Sequence, residues 1–302
     1  MTFSIVARDA VNGELGIAVA SKFLAAGAVV PWARADVGAI ATQALANVRY
    51  GPQGLELLAS GVSAPDTLDR LTGDDPDADQ RQAGVVDAAG GSATHTGPAC
   101  IPWAGGRTGP GVAVQGNILT GPAVVDAMLA AFLDAPERLA ERLVSALLAG
   151  DRAGGDARGR QSAAVLVVRA EGGYLGLDDR AIDLRVDDHP DPVPELARLL
   201  GIHRLLWETA DPTSLIVLDG EIAAEVRALL GRALAGRRRV TIPPDTSRTL
   251  PGAPRPPGDR WTADDQAALR FWSSVENLEM RDAGDGWIDP AVLDFLRGSA
   301  GR

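Results

Sequence analysis

The chain reads as an α+β protein, a four-layer αββα sandwich followed by a small all-α module. Three observations predict this. Several short segments are apolar on both faces, the inferred elements run strands, two helices, strands, two helices, strands, and the texture of the chain changes beyond Asp187. Strands buried on both faces, with helices arriving in pairs, call for two stacked sheets covered on either side. That order fits neither a βαβ alternation nor an all-β sandwich.

The elements follow in order. Residues 2–9 alternate, with Thr2, Ser4, Val6 and Arg8 on one side and Phe3, Ile5 and Ala7 on the other. Asn12-Gly13 is a two-residue hairpin signal that asks for φ > 0 at both positions. The chain is expected to return through 14–20 (ELGIAVA), so that Ser21-Lys22 emerges at the far end of the second strand. Residues 36–43 (DVGAIATQ) predict another buried strand. Helical spacing covers 53–60 and 64–71 and is broken by Gly73, Asp74, Asp75 and Pro76.

A second hairpin is expected from 83–88 and 92–96 around Gly90-Gly91, followed by a strand at 111–119 (GVAVQGNIL). Pro122 suits the start of a helix running to about Asp134. Residues 137–149 predict a further helix, ended by Gly150. The strands 162–169 (SAAVLVVR) and 182–186 (IDLRV) complete this part. The domain boundaries read as 1–187 for the sandwich, 188–210 for a linker helix and 211–302 for the helical module. Within the module, helices are expected at 220–234, after Trp261, and from Pro290, with a turn at Gly284-Asp285-Gly286-Trp287. Residues 237–239, all arginine, and the Pro-, Gly- and Arg-rich 243–257 read as a solvated connection.

Composition narrows the functional classes. Hydrophobic residues make up 46% and charged residues 23% of 302, an ordinary globular mix. A net charge of −11 leaves no basic surface to neutralise phosphates, and it argues against adhesion to anionic membranes. No apolar stretch reaches the ~18 residues of a membrane span. No basic segment followed by an apolar one opens the chain, so a signal peptide is not expected. The lone Cys100 cannot form an internal disulfide, which fits a reducing cytoplasm. With no basic neighbour it reads as a buried, inert thiol. No spacing suggests a metal site, and no cofactor is expected.

One count is sharper. Of 29 basic residues, 28 are arginine and one is Lys22. Lysine can shift its pKa and act as a neutral amine, which a guanidinium cannot. Lys22 is therefore either a chance surface survivor or a lysine needed as such.

The chemistry begins at Thr2. Methionine is normally removed when the second residue is small, so Thr2 would then carry a free amine and a hydroxyl. That amine, with a pKa near ~7.7–8.0, can take the hydroxyl proton directly or through a water, and no histidine is required. The alternative is that Thr2 is simply a small second residue. Lys22, at the end of the neighbouring strand, is its expected partner, lowering the amine pKa and steadying a developing oxyanion. Ser4, on the same face as Thr2, is a supporting hydrogen-bonder.

Further polar motifs are candidates for substrate contact. Asn47, Arg49 and Tyr50 follow a buried strand and precede Gly51-Pro52. Gln115 and Asn117 flank Gly116 in an otherwise apolar strand, and buried amides need partners, from the backbone or from a ligand. The loop 154–162 (GGDARGRQS) is the densest polar segment. There Asp156 is expected to orient the Thr2 ammonium, Arg158 to hold a substrate carboxylate, and Gln161 to line the cleft. The alternative for Asp156 and Arg158 is that they pair with each other. His95 reads first as a structural histidine and second as a substrate contact.

MTFSIVARD, ELGIAVASKF, TQALANVRYG, the THTG element, VQGNIL and GGDARGRQSAA together resemble an uncharacterised bacterial family. Its members carry an N-terminal-nucleophile-hydrolase-like domain, often followed by a peptidoglycan-binding-like module. The resemblance covers residues 2 to about 187. It implies the αββα fold and a hydrolase superfamily in which a chain-initiating threonine and a nearby lysine cleave amides; Thr2 and Lys22 match those roles by position. The tail, with Asp285-Gly286-Trp287 after Trp261, Phe271 and Trp272, resembles the module only loosely, and its aromatics suit a compact core better than glycan binding.

Two readings follow. In the first, the protein is a hydrolase acting on a C–N bond (amide, ureide or imine) of a small substrate, with Thr2, Lys22 and Asp156 catalytic and Arg49 or Arg158 favouring an acidic substrate. In the second, the same fold is a catalytically inactive scaffold for a small ligand or a protein partner. Either is expected to be cytoplasmic, without nucleic-acid or membrane partners. Association into a homo-oligomer is an expectation by analogy with related sandwiches.

Overall fold

A computed structural model describes residues 2–235 and 261–299. The chain divides into two compact units, 1–200 and 201–302. The expectations for residues 237–239 and 243–257 lie outside the described residues.

In the first unit, β1 (Thr2–Arg8) and β2 (Leu15–Ser21) form a hairpin, followed by β3 (Pro31–Arg34) and β4 (Gly38–Ala44). Helices α1 (Tyr50–Ala59) and α2 (Ala64–Gly73) come next, then β5 (Arg81–Asp87), β6 (Ser92–Thr96), β7 (Gly105–Gly109) and β8 (Val112–Asn117). After α3 (Ala123–Asp134) and α4 (Leu139–Arg152), the chain runs through β9 (Ser162–Val168), β10 (Arg180–Val186) and α5 (Pro192–Trp207). Every strand pair is antiparallel. One sheet has the order β10-β9-β2-β1-β8-β7 and the other β3-β4-β5-β6.

Alternation in β1 decides what lies where. Phe3, Ile5 and Ala7 enter an apolar cluster with Met128, Leu143 and Leu147, so α3 and α4 cover that face of the six-stranded sheet. Val6 points the other way and packs with Ile17, Ala39, Ala41 and Val86, which joins the two sheets face to face. The outer face of the four-stranded sheet packs Ile40, Ala83 and Val85 against Leu55, Leu58 and Leu68 of α1 and α2.

Glycines set two of these approaches. A Cβ at Gly16 would lie 2.7 Å from Leu143 Cδ1, so glycine lets α4 press onto the sheet. A Cβ at Gly150 would lie 2.7 Å from Met128 Cγ, which makes Gly150 a contact glycine between α3 and α4. It does not end α4 as the sequence suggests; the helix runs on to Arg152, and Gly154 then turns the chain at φ 115°.

The first turn also differs from expectation. Only Gly13 takes positive φ. The Asp9 carboxylate accepts from the amides of Val11 (2.7 Å) and Asn12 (3.3 Å), and the loop is wider than a two-residue turn. The carboxylate, not the Asn-Gly pair, sets its shape.

The second unit holds β11 (Ile216–Val217), α6 (Gly220–Ala233), α7 (Ala263–Val275), β12 (Trp287–Ile288) and α8 (Pro290–Ser299). Because β11 and β12 pair, this unit is not purely helical. Trp272 is fully buried among Leu230, Leu269, Leu293 and Leu296, and its ring lies 6.0 Å from that of Phe295. A Thr262–Asp265 capping box starts α7, and a buried Arg281–Asp289 ion pair (3.0 Å) ties the 279–281 turn to the start of α8.

Candidate active site

Thr2 is the first residue of β1 and lies opposite Asn117 on β8. The pairing of Phe3 with Ala20 carries Ser21 to its other side. Thr2 is 7% exposed, and its Oγ1 lies 3.0 Å from Ser21 Oγ, an arrangement in which either hydroxyl can donate. Its carbonyl accepts from Gln43 Nε2 at 3.3 Å.

Behind Thr2 the two sheets enclose a polar cluster. Ser4, Gln43, Gln82, Gln115 and Asn117 are each at most 1% exposed. Gln115 Nε2 donates to Ser4 Oγ (2.6 Å), and Ser4 Oγ donates to Gln43 Oε1 (2.7 Å). Gln82 Oε1 accepts from Gln43 Nε2 (2.8 Å) and from Asn117 Nδ2 (2.9 Å). Gln82 Nε2 donates in turn to the Gly116 carbonyl (2.7 Å) and Thr96 Oγ1 (2.9 Å). An unpaired buried amide costs about 1–3 kcal/mol, so this pairing is what makes five buried polar side chains tolerable. Gln115 Oε1 is the exception, with no donor among the described residues. A Cβ at Gly84 would collide with it, so glycine there makes room for the amide.

The strand ends around Thr2 are strained. Ala44, the last residue of β4, and Ile118, the first after β8, take positive φ (67° and 50°), as does Ala25 (52°) at the start of the 26–28 helical turn beyond β2. Left-handed backbone costs of order 1–3 kcal/mol at a non-glycine residue and persists only where the surroundings fix it. Ile118 is fixed by its amide on the Ile101 carbonyl (2.9 Å) and its carbonyl on the Ala157 amide (3.2 Å).

The loop before β9 closes one side. Asp156 is buried; its Oδ2 accepts from the Lys22 amide (2.8 Å) and its Oδ1 from the Arg158 amide (2.9 Å), with Arg158 Nη2 at 3.4 Å. Asp156 thus fastens this loop to the end of β2, and its pairing with Arg158 is the alternative the sequence left open. Lys22 is exposed and its ammonium donates to the Arg160 carbonyl at 3.2 Å. The side chain set against the Thr2 hydroxyl is therefore Ser21, one residue before Lys22. Gln161 gives its amide N–H to the Ser21 carbonyl (3.1 Å) and its side chain to Asp188 (3.2 Å). A cavity of about 250 Å³ opens beside these strand ends, lined among others by Phe3, Ser21, Asp151, Asp156 and Arg160.

Three other candidates are drawn elsewhere. Asn47 and Tyr50 both donate to Asp75 Oδ2 (2.8 and 3.0 Å), which also accepts from Arg81 Nε at 3.0 Å. Arg81 holds the Asp75 carboxyl well below the usual carboxylate range, while burial and then the Asp75 hydrogen bond push the Tyr50 hydroxyl up. Arg81 also donates to the Leu45 carbonyl (2.6 Å), so this cluster pins the loop after β4. His95 Nε2 lies 3.0 Å from the Ala78 carbonyl, a structural contact. Arg49 stays exposed at the start of α1.

Sequence reasoning missed Ser21, Gln43 and Gln82. Ser21 follows from the hairpin register, and each glutamine interrupts an apolar strand just as Gln115 does. Among the described residues, no His, Cys, Asp and Glu side chains gather into a group able to hold a metal, and no helix is long and apolar enough to cross a membrane.

The family model described as "Family of unknown function (DUF1028)" matches residues 2–196, and the chain belongs to that family. The crystal structure of a Silicibacter pomeroyi protein of the same family is similar over 74% of this chain and 92% of its own, with 28% identity and a TM-score of 0.61. No curated protein matches the chain.

Proposed function

We propose that this protein is a hydrolase of the N-terminal-nucleophile type, acting on a C–N bond (amide, ureide or imine) of a small substrate, with Thr2 made N-terminal by removal of Met1. The observation that carries the reading is the setting of Thr2. Its hydroxyl sits at a strand end 3.0 Å from Ser21 Oγ, and its carbonyl is fixed by a buried amide network that a mere strand terminus does not need. Two sheets sharing a core, with α1/α2 and α3/α4 outside them, support reading the first unit as the four-layer αββα sandwich of that superfamily.

For an amide substrate, the freed amine of Thr2 takes the proton of Oγ1, directly or through a water, as Oγ1 attacks the carbonyl carbon. Collapse of the tetrahedral intermediate breaks the C–N bond, and the ammonium returns its proton to the leaving nitrogen. Water, deprotonated by the same amine, then attacks the ester carbon; the C–Oγ1 bond breaks and the ammonium returns its proton to Oγ1, which restores the free threonine. Ser21 is suited to hold the Oγ1 proton in line during transfer. Lys22 belongs to the rim in this reading, because its ammonium is engaged by the Arg160 carbonyl. The second unit is read as a packed module rather than a glycan binder, since Trp272 is wholly inside.

The test is the intact mass of protein with a native N-terminus, before and after a hydroxyl-reactive electrophile. Absence of Met1 and a single adduct that maps to Thr2 and vanishes in Thr2→Ala support the reading. Retention of Met1 on all molecules overturns it and favours the scaffold reading, in which the same cleft only binds.

A further inference from the structure

The hydrogen bonds between the two sheets run in one direction. Gln115 Nε2 donates to Ser4 Oγ (2.6 Å), Ser4 Oγ to Gln43 Oε1 (2.7 Å), and Gln43 Nε2 to Gln82 Oε1 (2.8 Å). Gln82 Nε2 ends the chain on the Gly116 carbonyl at 2.7 Å, with Thr96 Oγ1 at 2.9 Å and the Gly105 carbonyl at 3.4 Å. A backbone carbonyl only accepts, so this last link fixes the others. Turned over, the Gln82 amide would set its oxygen against the Gly116 and Gly105 carbonyls. Its nitrogen would then meet the nitrogens of Gln43 and Asn117, which both donate to Gln82 Oε1 as it stands.

The same direction explains the orphan at the far end. The Ser4 hydroxyl has a single proton and gives it to Gln43, so toward Gln115 it can only accept. Gln115 must turn its nitrogen to Ser4, which leaves its Oε1 against Gly84 with no donor among the described residues. An orphaned buried acceptor costs about 1–3 kcal/mol. Packing alone does not require that cost, since Val6, Ile17 and Val86 fill the space further along the same sheets. What the chain reaches beyond itself is Thr2. The second hydrogen of Gln43 Nε2 is shared by the carbonyls of Thr2 (3.3 Å) and Gln115 (3.4 Å). Gln82 Oε1 also accepts from Asn117, the residue opposite Thr2 on β8.

We propose that Gln82 is a positioning residue of this site. It acts through Gln43, holding that amide with its nitrogen on the Thr2 carbonyl, and so steadies the residue that carries both nucleophile and base. Its part in catalysis rests on the Thr2 reading. Gln82 is fully buried, and its bonded partners are amides, one hydroxyl and backbone carbonyls, none of them charged. The adjacent Arg81 guanidinium is turned to Asp75, the Cys100 thiol donates to the Arg81 carbonyl, and His95, beside Thr96, is engaged by the Ala78 carbonyl.

The experiment uses the full chain with Gln82→Glu and with Gln82→Met. Gln82→Glu keeps the shape and an oxygen toward Gln43 and Asn117. Its other oxygen meets the Gly116 carbonyl and can donate there only when protonated, and burial beside that carbonyl raises the carboxyl above its ordinary ~4.3. Thr2 labelling by the electrophile is measured from pH 5 to pH 9 in folded protein and divided by the rate of the unsubstituted chain, which removes the titration of the Thr2 amine. The ratio should be close to unity while the carboxyl is protonated and fall about tenfold as it ionises. The side-chain NH2 resonances of Gln43 and the amide nitrogen of Phe3, which senses a hydrogen bond to the Thr2 carbonyl, should move with the same midpoint. Gln82→Met, which never donates, should label about tenfold slower at every pH. Ratios close to unity throughout in both variants overturn the proposal, as do Gln43 and Phe3 resonances that do not follow the carboxyl. Should Gln82→Glu unfold on ionising, the Gln82→Met rate decides by the same criterion. No labelling of Thr2 in the unsubstituted chain sinks the nucleophile reading, and the Gln43 and Phe3 resonances then decide whether Gln82 holds the Thr2 carbonyl.

Discussion

Toward the Arg8 end of β1, the space between the sheets is filled by Val6, Leu15, Ile17, Ala39 and Val86. Toward the Thr2 end, the same strands and their neighbours fill it with Ser4, Gln43, Gln82, Gln115 and Asn117. Both halves are equally buried, yet the first needs only shape, whereas the second rests on hydrogen-bond pairing that leaves Gln115 Oε1 without a donor among the described residues. A sandwich whose sole task was to fold would be served by the apolar filling throughout. The polar half costs desolvation and strained strand exits, and what it delivers is a fixed Thr2 carbonyl and a hydroxyl against Ser21. The lesson is that the fold is secured at one end and the candidate site is held at the other.

The comparison can be broken by substitution at each end. Gln43→Leu keeps the volume roughly but strands the Thr2 carbonyl and the Ser4 hydroxyl. It should cost about 3 kcal/mol in denaturant unfolding and also slow electrophile labelling at Thr2. Ile17→Val in the apolar half should cost about 1 kcal/mol and leave labelling of the folded protein unchanged. Equal effects of the two on labelling would erase the distinction between the halves.

An acid titration sharpens the picture at the loop after β4. The folded-state pKa of Asp75 is depressed, chiefly by its hydrogen bonds from Arg81, so its contribution is complete above the unfolded value near ~3.9 and is lost as pH falls toward the lower folded value. The fall in stability below about pH 4 should therefore be shallower in Asp75→Asn than in the unsubstituted chain, as read by thermal melts from pH 5 to pH 2. The smallest stability change is expected for Ser21→Ala, about 1 kcal/mol or less, with labelling at Thr2 slowed about tenfold.

Much of this was legible from residues alone. Period-two alternation placed Phe3, Ile5 and Ala7 opposite Ser4 and Val6, and long apolar runs marked β2, β8 and β9. Strands β3 and β7 escaped because Pro31 and the Gly-rich GGRTG lack that pattern, and two-residue strands such as β11 and β12 leave almost none. In the site, Thr2 and Ser4 converge with Asn117 and Gln115 because β1 and β8 are neighbours in the sheet and pair in that register. Asn47, Tyr50 and His95 do not join them, since a loop polar group takes the nearest buried partner, and the positions of Asp75, Arg81 and Ala78 are tertiary facts. Lys22 shows the limit of register: one residue of offset exchanges an ammonium for the Ser21 hydroxyl.

The most direct measurement is labelling of Thr2 in protein whose α-amine is blocked by one added residue that stays in place, compared with protein carrying a free Thr2. With the fold checked by circular dichroism, the account predicts that the blocked protein keeps its structure and loses the adduct, because the amine is the base. An adduct formed at Thr2 at an undiminished rate with the amine blocked would contradict it.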